Sequence, residues 1–374
     1  MKRLKFYGDK IIIGENAINH LSTLDYNRIF VVTDGSSAFK NGSIDQLKDI
    51  FSSKQIKIFS GVKKNPDTNI VEEGIKEMIS FKPDLVVGIG GGSPIDAAKV
   101  MTLFYDHEAI NFNNVLKKDI SNYKRKTAFI AIPSTSGTGT EVTKAAVITF
   151  NDLDLKIGLK SLGFIPDLAI LDSRLTMSMP KNIVAETGLD ALTHALECYI
   201  NHNLDDFTEA MAKGAIEGLL KHLRDSYHTG NIESREKVHH YQALAGMAFQ
   251  NVGLGMAHGI SHAFGGMFDF GHGLLNGICL PYVLEYNAKD PVVQEKINYL
   301  SRVLEVDSVI DEIKTLNKEL EIPSGFKALG LEEDMFQENL DLLIENSLKG
   351  STKGNPVEMN NKEMKKVLLK IYNG

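Results

Sequence analysis

Asp190 and His194 stand four residues apart, as do His258 and His262, and His272 follows ten residues later. On a helix, a four-residue step puts two side chains on one face, where both can reach a single ion. With 11 histidines in 374 residues, roughly 0.3 such His pairs arise by chance, so the spacing needs a setting to support it. That setting is the stretch from Gly253 to Gly277, which holds eight glycines in 25 residues. Each glycine weakens a helix by about 1 kcal/mol relative to alanine, a costly choice unless the backbone must come close to something. One carboxylate and three imidazoles, from Asp190, His194, His258 and His272, form a borderline donor set that suits Fe(II) or Zn(II) and leaves a position for a substrate oxygen. His262 is then left over beside His258 as a candidate catalytic proton relay. Cys198, one turn beyond His194, reads as core. His239 and His240, adjoining in a charged stretch, read as surface.

A second chemistry is suggested earlier in the chain. Leu85-Val-Val-Gly-Ile-Gly-Gly-Gly-Ser-Pro-Ile-Asp-Ala-Ala-Lys99 reads as a strand, a glycine turn and a helix start. Such a turn lets backbone N–H groups and the positive helix end approach a pyrophosphate. Pro94 suits the first helical turn and Asp96 can face its N-terminus. Pro133-Ser-Thr-Ser-Gly-Thr-Gly-Thr-Glu-Val-Thr143 also follows a strand, and its hydroxyls can hold phosphate and ribose oxygens. Asp34, at the end of the first strand, can accept from an adenosine ribose and would repel a 2′-phosphate, which favours NAD over NADP.

The elements that must carry these groups change texture along the chain. Short β-branched runs, Arg28 to Thr33, Asp84 to Val87 and Ala128 to Ile132, alternate with helical patterns such as Thr68 to Ser80. This predicts a doubly wound, Rossmann-like, mostly parallel α/β sheet over residues 1–178. From 179 to 374 the periodicity is helical, with Met179-Pro180 at a helix start and amphipathic helices over Asp206 to Leu223 and Val238 to Asn251, so an all-helical domain carrying the metal site is expected. The two are expected to pack with a cleft between them.

Composition narrows the class. Hydrophobic residues at 43% and charged residues at 24% are ordinary for a globular protein. The longest early apolar run, Ile11 to Ile13, is too short for a secretory segment, and no run approaches a membrane span, so a cytoplasmic location is expected. Two cysteines make no disulfide framework, and a net charge of -7 offers no basic field for nucleic acid. No Lys or Arg occurs between Lys181 and Lys213 or between Lys237 and Asn287, so the metal-site helices offer no cation to a charged substrate. A small neutral substrate follows. Phe249, Met256 and Phe264 are candidates for apolar walls or plain core.

In type and order, Gly90-Gly-Gly-Ser-Pro-Ile-Asp-Ala-Ala-Lys99, Pro133-Ser-Thr-Ser-Gly-Thr-Gly-Thr-Glu141, Gly188-Leu-Asp-Ala-Leu-Thr-His-Ala195 and His258-Gly-Ile-Ser-His262 resemble the iron-containing (group III) alcohol dehydrogenases. The resemblance runs as far as Gly354-Asn-Pro356. The compact length and Ala245-Gly-Met-Ala-Phe249 are similar to the 1-propanol and ethanol dehydrogenases of propanediol and ethanolamine utilisation; Phe268-Asp-Phe270 departs from the pattern. The resemblance implies metal ligands at Asp190, His194, His258 and His272 and an NAD-selecting carboxylate at Asp34. It implies nucleotide contacts at Gly91, Gly92, Ser93, Thr135, Thr138 and Lys156, and a pocket-lining role for Phe249. The implied activity is metal-dependent, NAD(H)-linked interconversion of small neutral primary alcohols and aldehydes, running toward aldehyde reduction. A homodimer or higher homo-oligomer is expected, in the cytoplasm or within a bacterial microcompartment. The rivals are a glycerol dehydrogenase-like zinc enzyme and a lyase resembling 3-dehydroquinate synthase. The lyase needs cations for an anionic substrate, which these helices lack.

Overall fold

A computed structural model describes residues 3–153 and 155–374. The chain forms two compact units, Met1–Met179 with Asn231–Ala243, and Pro180–Gly230 with Leu244–Gly374.

The first unit contains strands β1 (Lys10–Ile13), β2 (Arg28–Thr33), β3 (Gln55–Phe59), β4 (Leu85–Gly90), β5 (Ala128–Pro133), β6 (Ala145–Phe150), β7 (Leu155–Lys160) and β8 (Leu168–Leu171), and helices α1 (Ser37–Lys40), α2 (Ser43–Ile50), α3 (Thr68–Phe81) and α4 (Gly92–Asp106). Six strands form one sheet in the order β1-β8-β5-β4-β2-β3, with every neighbouring pair parallel. The inner strands β2, β4, β5 and β8 are almost wholly apolar and buried because both faces are covered, whereas the edge strands β1 and β3 carry Lys10, Gln55 and Lys57. Along β2, Ile29 and Val31 pack with Ile18, Ile44 and Leu47. Phe30 and Val32 point the other way, toward Val71, Met78 and Met101. The doubly wound α/β architecture expected from the alternating pattern is therefore present. After β2 the chain goes first to β3 on one side and then to β4 on the other, so a crevice opens between the C-terminal ends of β2 and β4, the place where such sheets bind ligands. Strands β6 and β7 form a separate antiparallel hairpin that the sequence reading did not anticipate.

The remaining helices are α5 (Lys181–Ile200), α6 (Asp206–His228), α7 (Ile232–Val252), α8 (Met256–Phe268), α9 (His272–Asn287), α10 (Pro291–Val303), α11 (Val309–Glu319), α12 (Glu333–Ser347) and α13 (Asn361–Asn373). The expected run of helices is there, and α7 contributes its residues up to Ala243 to the first unit. Side-chain caps start several of them. Asp205 accepts from the Thr208 N–H, and Asp290 accepts from Val292 and Val293 with Pro291 as the first helical residue. Helix α5 is buried without a break from Gly188 to Ile200, so it shows no polar stripe. Gly273 accounts for part of the glycine excess. A Cβ there would fall 2.2 Å from the Glu186 carbonyl oxygen and 3.2 Å from Asp190 Cβ, so only glycine lets α9 lie this close to α5. The Phe268-Asp-Phe270 segment ends α8 and begins the turn to α9, with Asp269 in the left-handed region at φ 53°. It brings His272 back beside His258. Among the described residues, no helix is long and apolar enough to cross a membrane.

Candidate metal centre and nucleotide loops

Helix α5 supplies Asp190 and His194, α8 supplies His258, and His272 opens α9. Ligand atoms of Asp190, His194 and His258, all three residues buried, lie within 4.8 Å of one another. His272 joins them, with Nε2 3.7 Å from Asp190 Oδ1, beside His258 Nε2 at 3.8 Å and, on the other carboxylate oxygen, His194 Nδ1 at 4.0 Å. The His194 ring is stacked between Phe249, at 4.4 Å, and His258, at 4.5 Å. These contacts leave His194 little freedom to turn and put the Phe249 ring against the centre. His262 is exposed on the outer side, stacked on His272 at 5.0 Å and 6.3 Å from His258.

Two further groups orient the donors. Glu197, one turn beyond His194 on α5, accepts from His258 Nδ1 at 2.7 Å and from the backbone N–H groups of Gly255 and Ala257 at 2.9 and 2.6 Å. A carboxylate accepting from Nδ1 places the proton there and leaves the Nε2 lone pair for an ion. Asn276, one turn beyond His272, donates from Nδ2 to Asp190 Oδ1 at 2.7 Å. The sequence reading gave neither residue a role, although 190, 194 and 197 share one helical face, as do 272 and 276.

The electrostatics suit a cation. Burial pushes the Asp190 carboxyl up, but His194, His272, His258 and the Asn276 amide outweigh it and hold the group below its usual range. Burial, with His194 and His272 alongside, drives the His258 imidazole well below its ordinary value, so it is neutral, as a ligand must be. Burial raises Glu197 to about 7 despite its two backbone donors. A buried carboxylate beside three imidazoles fits Fe(II) or Zn(II) by donor chemistry.

In the first unit, the glycine and hydroxyl loops touch. Gly90 has φ 136°, a left-handed value that favours glycine. At Gly92 a Cβ would meet Thr138 Cγ2 at 2.9 Å, and at Gly91 it would lie 3.6 Å from Thr135 Oγ1. Helix α4 begins at Gly92 with Ser93 next, so their N–H groups have no partner inside the helix. Asp34 Oδ1 accepts from the Ser36 and Ser37 N–H groups, and Oδ2 accepts from Ser37 Oγ, which fixes the carboxylate at the start of α1. Its Oδ2 lies 3.7 Å from where a Cβ on Gly90 would sit, at the β2–β4 crevice. Asp96 has a bracing role. Its oxygens accept from Thr140 Oγ1 at 2.5 Å and the Val147 N–H at 2.9 Å, tying α4 to the hydroxyl loop and to β6. Lys99, fully buried and pushed down to about 8 by that burial, donates to the Thr143 and Ala145 carbonyls. Lys156 stands on β7 opposite Thr149.

The reading of His239 as surface is wrong. It is fully buried, with Nδ1 2.9 Å from Ser136 Oγ, and burial pushes its imidazole down to about 3. Three residues on, Gln242 accepts from the Gly139 N–H at 2.9 Å and donates to Glu141 at 2.6 Å. The start of α7 thus clamps the hydroxyl loop. His240 is partly exposed.

Comparison with known proteins gives the family. Family models for "Iron-containing alcohol dehydrogenase" and "Fe-containing alcohol dehydrogenase family, C-terminal" match residues 8–173 and 184–372. The NADPH-dependent butanol dehydrogenase of Clostridium saccharobutylicum is 38% identical, over 97% of this chain and 96% of that protein. The 1-propanol dehydrogenase PduQ of Citrobacter freundii is 34% identical over 91% of each. The solved iron-containing alcohol dehydrogenase of Thermococcus thioreducens superposes with a TM-score of 0.92 at 32% identity, over 99% of this chain and 100% of that one. The chain spans less than half the length of the bifunctional aldehyde-alcohol dehydrogenases it also matches. The chain belongs to the iron-containing alcohol dehydrogenase family. It is an oxidoreductase of that class, and the lyase alternative is not favoured.

Proposed function

We propose that this protein is an Fe(II)-dependent, NAD(H)-linked dehydrogenase that interconverts small neutral primary alcohols and aldehydes, with Zn(II) compatible with the same donors. The observation that carries the reading is the buried convergence of Asp190, His194 and His258, with His272 beside them. A bound ion would supply Lewis-acid polarisation of the substrate oxygen, and a bound dinucleotide would accept or supply the hydride.

The chain's own residues do the rest. Asp190, His194, His258 and His272 hold the ion, and Glu197 keeps the His258 lone pair turned inward. Phe249 presents its face beside His194 and excludes water from the apolar side of the substrate. His262, exposed and stacked on His272, passes the alcohol proton to solvent from its ring nitrogen. In the first unit, Gly91, Gly92 and Ser93 offer N–H groups to the pyrophosphate, while Thr135 and Thr138 offer hydroxyls from the clamped loop, and Lys156 adds a positive charge on its hairpin. Asp96 serves the nucleotide by bracing that loop. NADH oxidation by protein purified without oxygen, measured with propanal and butanal alongside its iron and zinc content, tests the reading. Turnover without a stoichiometric ion would contradict it.

Asp34 makes the cofactor preference testable, because a curated relative is named as NADPH-dependent. Its carboxylate is fixed by two backbone donors and would oppose a 2′-phosphate. Asp34→Gly is expected to move the ratio of kcat/KM for NADH over NADPH toward NADPH by at least about tenfold, roughly 1.4 kcal/mol. An unchanged ratio would remove Asp34 from cofactor selection.

A further inference from the structure

Four donors do not account for everything buried at the metal centre. Asn276 is fully buried, and its Nδ2 lies 2.7 Å from Asp190 Oδ1, 3.1 Å from His258 Nε2 and 3.2 Å from His272 Nε2. Three acceptors converge on an amide nitrogen with two hydrogens, and all three are atoms of the proposed ligands. The other end of the amide is also held, since Oδ1 accepts from the buried Ser261 Oγ at 2.6 Å. Turning the amide over would press its oxygen against the Asp190 carboxylate, so Asp190 and Ser261 together fix its direction.

Without an ion, a buried carboxylate and two inward imidazole lone pairs have no cation to face, and leaving such groups unsatisfied destabilises the fold. An amide N–H₂ at their focus meets that need without adding charge. Its short bond to Oδ1 also distinguishes the two oxygens of Asp190, leaving Oδ2, the one facing His194 Nδ1 at 4.0 Å, as the free donor.

We propose that Asn276, locked by Ser261, is a positioning residue of the metal centre, a neutral placeholder that holds the Asp190, His258 and His272 donors together before the ion arrives and keeps Asp190 Oδ1 engaged. The proposal rests on reading these residues as ion ligands. It explains why α9 places an amide one turn after His272, where an apolar residue would leave the donors to spread apart. It also gives the α8 serine a function, because Ser261 follows His258 by three residues and reaches the amide from the same helical face.

The test is Co(II) binding to chelator-stripped protein, followed by visible absorption in competition with a chelator, for wild type, Asn276→Ala, Asn276→Asp and Ser261→Ala. Wild type is expected to bind a single Co(II) per chain. Asn276→Ala should bind it roughly 10–100-fold more weakly, the range for groups that orient metal ligands, and Ser261→Ala should weaken it by a smaller factor. Asn276→Asp should bind more tightly than wild type, yet its ion-free form should melt at a lower temperature, because two carboxylates then meet where the 2.7 Å hydrogen bond stood. A merely structural role would weaken binding in both Asn276 variants alike. That pattern, or wild-type affinity in Asn276→Ala, overturns the proposal. Should Asn276→Ala fail to fold, undiminished affinity in Ser261→Ala, or weaker affinity in Asn276→Asp, overturns it equally. If wild type itself binds no Co(II), the ligand reading falls first, an outcome distinct from the failure of the Asn276 role.

Discussion

His272→Ala and His258→Ala are each expected to lose the bound ion and at least about a thousandfold of kcat/KM for aldehyde reduction, roughly 4 kcal/mol of transition-state stabilisation. Removing one donor of four undoes both the affinity and the geometry of the centre. His272 gives the cleaner experiment. Its side chain is 40% exposed, so its loss leaves no sealed cavity and the thermal midpoint should stay close to that of wild type stripped of its ion. His258 is buried to 1% and is the partner of Glu197, so His258→Ala also strands a buried carboxylate and should lower the midpoint by several degrees. Metal content equal to wild type in either folded variant would assign that histidine another role.

Substrate charge should have the next largest effect. Among the described residues, Glu197, Asn276, Phe249 and His262 contact the proposed ligands and none of them is a Lys or Arg, and the helices that carry the ligands have no Lys or Arg from 182 to 212 or from 238 to 288. A substrate carboxylate brought to this centre would be desolvated beside Asp190 with no cation from those helices, at a cost of several kcal/mol after relaxation. Propanal or butanal should therefore be reduced with kcat/KM at least about a hundredfold above succinic semialdehyde, a margin of roughly 2.7 kcal/mol. Steady-state NADH oxidation with the three aldehydes measures it. Comparable values would mean that a cation from another part of the molecule reaches the substrate, and the neutral-substrate reading would fail while the ligand set stood.

The parts of this molecule that could be read in the sequence are those determined locally. The strand Arg28–Thr33 and the start of α3 at Thr68 fall where the apolar pattern and turn residues place them, because neighbouring residues decide them. Of the proposed donors, Asp190 and His194 stand out as a pair on one helical face, whereas His258 pairs by spacing with His262, outside the proposed set, and His272 has no helical partner among the donors. What escaped depends on distant chain. His239 lies among Glu233, Arg235, Glu236 and Lys237 and reads as solvated, yet a loop about a hundred residues earlier buries it through Ser136. Glu197 and Asn276 lie on the same faces as the ligands, but glutamate and asparagine at helical spacing are ordinary surface residues until α5, α8 and α9 are seen to converge. The β6–β7 hairpin lacked a signal because β7 is short and largely exposed, with Lys156, Gly158 and Lys160 interrupting its apolar residues, and its pairing comes from its neighbour.

The central claim is that a single ion held by Asp190, His194, His258 and His272 is required for NAD(P)H-linked aldehyde reduction. The most direct measurement is the rate of NADH oxidation with butanal by one preparation as purified without oxygen, after chelation, and after readdition of Fe(II). The account predicts loss of at least about 99% of the rate on chelation and recovery on adding one equivalent of Fe(II) per chain, with the protein folded throughout. An undiminished rate in fully stripped, folded protein would contradict it.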